Sequence, residues 1–147
     1  MEKLNSAQIE ILQLFEGQTQ TAEDLMELRK VLVDYQNNKN KAQTQSIERQ
    51  IITKVKEKVL AIDREAKITL FGSRARGDAR KDSDWDFLIL MDLPVTFHLK
   101  NKLRNELYDI ELETGEIIGT IIENKEDWDR EIVTNIYKNI AKEGITI

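Results

Sequence analysis

The chain contains no cysteine, one proline (Pro94) and one histidine (His98). The lack of cysteine excludes disulfides and thiolate metal sites. No apolar stretch approaches the ~20 residues that a membrane helix needs. No N-terminal apolar run has the character of a signal peptide, so a cytoplasmic address without a membrane partner is expected. Positive charge is also short, with a net charge of −5. Generic binding to long nucleic acids calls for a broad basic surface, and that partner is therefore not expected. What positive charge there is includes a local patch, Arg74, Arg76, Arg80 and Lys81.

The rest of the composition is that of a folded protein. With 147 residues, 40% hydrophobic and 33% charged, the chain is long enough for a real core and too apolar for disorder. Up to about residue 65 it reads as helical. Asn5 or Ser6 is placed to cap a first helix with an apolar stripe of Ile9, Ile11, Leu12, Leu14 and Phe15, ended by Gly17. Thr21 and Asp24 have the spacing of a capping box, and Leu25, Leu28, Leu32 and Tyr35 follow at helical spacing. The polar run from Asn37 to Gln45 is expected to be a short break. Ile47, Ile51, Val55, Val59 and Ile62 then predict a long helix with one buried face.

Beyond it, Lys67 to Phe71 predicts a strand, Gly72 to Asp82 a loop, and Trp85 to Met91 a second strand, apolar on both faces and hence central. Thr96 is placed to cap a helix reaching about Glu113, ended by Gly115. Glu116 to Glu123 predicts a third strand, Trp128 to Glu143 a last helix, and Ile145 to Ile147 a short edge strand. His98, at a helix start, reads as a surface or capping residue, and Trp85 and Trp128 as core. The expected fold is α+β: a small mixed sheet flanked by helices, in a domain of residues 46–147 behind an N-terminal helical extension of residues 1–45.

One stretch carries chemistry: LFGSRARGDARKDSDWDFLILM, from Leu70 to Met91. Asp84 and Asp86 stand two residues apart, so their side chains point to the same face of a strand. Two carboxylates aimed together repel unless a cation lies between them, and a divalent ion with oxygen ligands suits that role. Upstream, the Gly72-Ser73 turn has the chemistry to hold a phosphate on backbone N–H groups. The simpler alternatives are an Asx-type turn for the acids and a solvated loop for the arginines.

The combination GSRARG, a spacer, then SDWD resembles the Gly-Ser-x-x-x-Gly…Ser-Asp-x-Asp pattern of the nucleotidyltransferase superfamily related to DNA polymerase β, and most of all the minimal nucleotidyltransferases. The resemblance runs from about Val55 to the end of the chain. It implies transfer of a nucleoside monophosphate from an NTP, with ATP the expected donor, to an acceptor hydroxyl, with release of pyrophosphate. By that resemblance Asp84 and Asp86 are the catalytic acids and ligands of two Mg²⁺ ions, while Gly72, Ser73, Arg74, Arg76 and Ser83 attend the nucleotide phosphates. Members normally carry a third acid on the strand after the helix. Here that strand reads EIIGTIIE, without an aspartate in its middle, and Glu116 is the nearest candidate ligand. The competing expectation is an antitoxin-like or degenerate nucleotide-binding partner of a helical toxin-type protein, with reduced transferase chemistry.

Overall fold

Four strands, β1 (Lys67–Phe71), β2 (Trp85–Met91), β3 (Ile118–Asn124) and β4 (Ile145–Thr146), form one sheet in the order β3-β2-β1-β4 among the described residues. The structure, a computed structural model, describes residues 6–15, 17 and 21–147, without the side chains of residues 7, 12, 14 and 15. The helices are α1 (Ser6–Phe15), α2 (Ala22–Ile62), α3 (Gly72–Arg76), α4 (Phe97–Thr114), α5 (Lys125–Asp129) and α6 (Asn135–Glu143). The sheet is mixed, with β2 antiparallel to β1 and parallel to β3, and the fold is the expected α+β arrangement with N-terminal helix. No helix among the described residues is long and apolar enough to cross a membrane.

The chain divides into two units, Met1–Ser46 and Ile47–Ile147, at a point inside α2. In the first, the capping box forms as its spacing predicts: Thr21 N–H donates to Asp24 Oδ2 at 3.0 Å, and Asp24 N–H to Thr21 Oγ1 at 3.2 Å. Leu28 is buried there, while Leu25 and Tyr35 are exposed. Asn5 and the side chains of Leu12, Leu14 and Phe15 lie outside the described residues. The expected break at Asn37 to Gln45 does not occur, because α2 is continuous over 41 residues. That run holds no glycine or proline to stop a helix. Its polar side chains instead bond along it, Gln36 to Asn40 Oδ1 and Thr44 Oγ1 to the Asn40 carbonyl.

In the second unit the predicted apolar face is realised. Ile51, Val55 and Val59 are fully buried, each worth roughly 1.5–3 kcal/mol relative to exposure. They share a core with Trp85, Phe87, Ile89 and Met91 of β2 and Leu103, Leu107 and Ile110 of α4. The opposite face of the sheet carries a second cluster of Leu88, Trp128 and Ile140. β2 is thus central and covered on both faces. Thr96 caps α4 by accepting from Leu99 N–H, and Gly115 closes it in the left-handed region (φ 72°).

Three boundaries differ from expectation. The segment after β1 is not all loop but starts as the short helix α3. β3 starts at Ile118 rather than Glu116. The last helix is two, α5 and α6. Turn hydrogen bonds from Arg130, Glu131 and Thr134 interrupt it, and the Thr134 hydroxyl starts α6 by accepting from Tyr137 N–H. Ile132 and Val133 are exposed in that turn.

Candidate active site

β1 ends at Phe71, and Gly72 turns the chain into α3 with φ 73°, a conformation that L side chains seldom adopt. The turn brings Gly72 against Asp86, which β2 places beside it in the register Phe71↔Asp86. On its other side Asp86 pairs with Gly119 of β3. The fit is close at both glycines. A Cβ on Gly72 would stand 2.6 Å from Asp86 Oδ2, and one on Gly119 would stand 2.6 Å from Asp86 Oδ1. The carboxylate is therefore seated between two glycines, one oxygen toward each.

Among the described residues no cation is paired with that carboxylate. Among the described residues no hydrogen bond reaches Asp86; Asp84 acts on it as a like charge, and Arg76 as the opposing one. Burial, with Asp84 adding to it, raises the Asp86 carboxyl above the usual carboxylate range, and Arg76 offsets part of this. Asp84, just before β2, is exposed, and Trp85 between the two acids is buried on the opposite face. Two hard oxygen donors, one held in a cradle that no side chain fills, suit a hard divalent cation.

Glu116 does not complete this pair. The register Trp85↔Ile118 puts position 116, two residues earlier, on the Trp85 side of the sheet. There Glu116 Oε2 accepts from Trp85 Nε1 at 3.0 Å and from Arg74 Nη2 at 3.3 Å. Among the described residues no group of three acids or histidines stands together as a metal site. The β3 residue beside Asp86 is Gly119, where sequence reasoning saw only a missing acid. A strand glycine often marks a close approach, and the register is what identifies the approaching group.

The expected phosphate ligands separate in the same way. Gly72 and Ser73 open α3 beside the acids. Arg76 is partly exposed and donates to Glu143 Oε1 (3.1 Å) and Oε2 (3.2 Å) of α6 and to Asp78. Arg74 lies elsewhere, its guanidinium 4.5 Å over the Trp85 ring. There it also donates to the Ser83 carbonyl and to Glu116. Ser83 is bound into its own loop, its hydroxyl accepting from Arg80 N–H at 2.8 Å. A separate cleft of about 420 Å³ lies between α4 and β3, lined by residues including Arg104, Tyr108, Glu111 and Thr120. It shares no residue with the acid pair.

One carboxylate was not singled out from sequence at all. Asp63, just past α2, is buried and accepts backbone N–H groups of Asp92 (2.7 Å), Leu93 (3.2 Å) and Glu65 (3.1 Å).

Comparison with known proteins bears on the family. Residues 48–146 match the nucleotidyltransferase domain family, and residues 1–56 match a family of unknown function. Over 78 residues the chain is 38% identical to a Methanocaldococcus jannaschii protein whose provisional name is protein adenylyltransferase. The aligned part covers 53% of this chain and 73% of that relative.

Proposed function

The chain belongs to the nucleotidyltransferase family in its minimal form, and from that premise we propose that it transfers AMP from ATP to a hydroxyl group of a protein, with Asp84 and Asp86 holding two Mg²⁺ ions. The observation that carries this reading is the seat of Asp86 between Gly72 and Gly119, an anionic group fixed in place and, among the described residues, without a hydrogen-bond donor of its own. The protein acceptor follows the M. jannaschii relative's name, and the nucleotide follows from the family. When bound, Mg²⁺ offsets the charge on the phosphates and stabilises the attacking and leaving oxygens of an in-line displacement.

The chain's residues then have separate tasks. Asp84 and Asp86 supply the oxygen ligands. Gly72 and Ser73 hold the outer phosphates through backbone N–H and hydroxyl. Arg76, if released from Glu143, offers a bidentate fork to the leaving pyrophosphate. The acceptor oxygen bonds to the α-phosphorus as the bond to the bridging oxygen breaks. Pyrophosphate leaves with that electron pair, and the acceptor proton passes to solvent.

Transfer of label from α-labelled ATP to protein, with Asp84→Asn and Asp86→Asn beside the wild type, tests this. Label on protein from the wild type and none from either variant is expected. Equal labelling by all three overturns the site, and label on nucleic acid alone overturns the acceptor. A second reading rests on Gly119: a site with two acids also suits an antitoxin-like partner of a helical protein. Stoichiometric capture of such a protein by a chain that transfers no label would favour it.

A further inference from the structure

Asp86 is located by its glycine seat, but Asp84 has no such seat. It is exposed and precedes the first residue of β2. What holds it must act through its neighbours in the chain, Ser83 and Trp85, and one side chain grips both. Arg74 Nη2 donates to the Ser83 carbonyl at 2.8 Å, and Nε donates to the same oxygen at 3.3 Å. The guanidinium lies over the Trp85 ring at 4.5 Å, and Nη2 also reaches the Lys81 carbonyl at 3.4 Å.

Glu116 closes the assembly by accepting from both the Arg74 guanidinium and the Trp85 indole. The Arg74 side chain is only 11% exposed, so its contacts with Ser83, Trp85 and Glu116 are partly sheltered from water. A buried cation stacked on an indole and paired with a carboxylate is worth more than the same contacts at a surface.

We propose that Arg74 and Glu116 are positioning residues for the metal-holding pair. By pinning Ser83 on one side and Trp85 on the other, the clamp sets the direction of Asp84 without touching nucleotide or metal. This inference rests on the reading of Asp84 and Asp86 as metal ligands. It also accounts for an arginine inside the phosphate-turn motif that faces away from the acids: Arg74 carries the position of α3 across to the loop that ends at Asp84. Lysine cannot replace it in kind, since one ammonium cannot span Ser83, Lys81, Glu116 and the indole face together.

The test is a double-mutant cycle on Mn²⁺ affinity in the presence of ATP, read by the loss of the free-ion electron-spin signal. Arg74→Lys is expected to weaken Mn²⁺ binding about tenfold, as loss of a group that orients a metal ligand does. Glu116→Gln, which keeps shape and the indole bond, is expected to weaken it less. The decisive result is coupling. Arg74→Lys added to Asp84→Asn should cost no further affinity, whereas added to Asp86→Asn it should still cost affinity. A purely structural role would give the same extra loss on both backgrounds, with a matching fall in melting temperature.

That outcome overturns the clamp, as does unchanged affinity in both Arg74→Lys and Glu116→Gln. If Asp84→Asn and Asp86→Asn themselves bind Mn²⁺ like the wild type, the metal-site reading fails, and the clamp fails with it. The two failures are thus told apart by the single aspartate variants.

Discussion

Asp63 and Asp86 are both withdrawn from water, and the protein treats them in opposite ways. Burial pushes the Asp63 carboxyl up, but backbone N–H groups from Leu93, Glu65 and Asp92, with Lys125 nearby, more than reverse it and hold it below the ordinary range. At Asp86 burial acts first and Asp84 adds to it, so the carboxyl stays above that range, with only Arg76 opposing. One carboxylate is satisfied and fastens the end of α2 to the segment after β2. The other keeps its need for positive charge, as groups assembled for a ligand often do. An acid's partners, more than its depth, separate a structural role from a chemical one.

The largest expected effect breaks the comparison at Asp86. Asp86→Asn should reduce label transfer at least about a thousandfold, roughly 4 kcal/mol of transition-state stabilisation. The same variant should melt a few degrees higher in metal-free buffer, because a neutral amide removes repulsion with Asp84. Calorimetry with and without Mg²⁺ checks both parts: Mg²⁺ should raise the wild-type melting temperature and leave that of the variant unchanged. A variant that melts lower in metal-free buffer would mean that Asp86, like Asp63, is a structural acid.

Asp63→Ala should come next, costing about 1–3 kcal/mol in urea unfolding as three partly buried backbone N–H groups lose their acceptor. The sign of its pH dependence follows from the lowered folded-state value. As pH falls, the unfolded chain takes up the Asp63 proton first, so the stability from this group is present above about pH 4 and is lost as pH drops through the folded value. The difference in stability between wild type and Asp63→Ala should therefore shrink in acid.

Gly72→Ala and Gly119→Ala sharpen the same contrast. Both would press a methyl group on Asp86, but only Gly72 also has a positive φ. Gly72→Ala should cost the more stability, about 1–2 kcal/mol. Both variants should lose Mn²⁺ affinity, and neither should alter the acid response that comes from Asp63.

Much of this was legible beforehand because it depends on local chemistry. The period-two spacing of Asp84 and Asp86, the apolar face of Ile51, Val55 and Val59, the capping box at Thr21 and Asp24 and the αL glycine at 115 need only a few neighbouring residues. What escaped depends on register between distant segments. Glu116 looked like a third ligand until the pairing Trp85↔Ile118 put it on the Trp85 side. Gly119 looked like a gap until the pairing Asp86↔Gly119 made it one wall of a seat. Arg74 sits in a phosphate-binding motif, and only the tertiary structure turns it toward an indole. Asp63 lies at a helix end, where an acid draws no notice, and two of its three partners stand some thirty residues away. The continuity of α2 was missed for another reason: polarity without glycine or proline does not break a helix.

The smallest expected effect tests which partners matter at Asp63. Lys125 Nζ lies 2.7 Å from Asp92 Oδ1 and donates to the Glu65 carbonyl at 2.5 Å, so it belongs to the same corner and its charge favours ionised Asp63. Its side chain is a quarter exposed, and removing it should cost no more than about 1 kcal/mol. Lys125→Met leaves all three backbone donors in place. If those donors hold Asp63 down, its carboxyl resonance should titrate only slightly higher in the variant and stay below the ordinary range. A return to that range would transfer the main role to the lysine. Asp63 would then be an ion-paired acid, and its contrast with Asp86 would reduce to the presence or absence of one nearby cation.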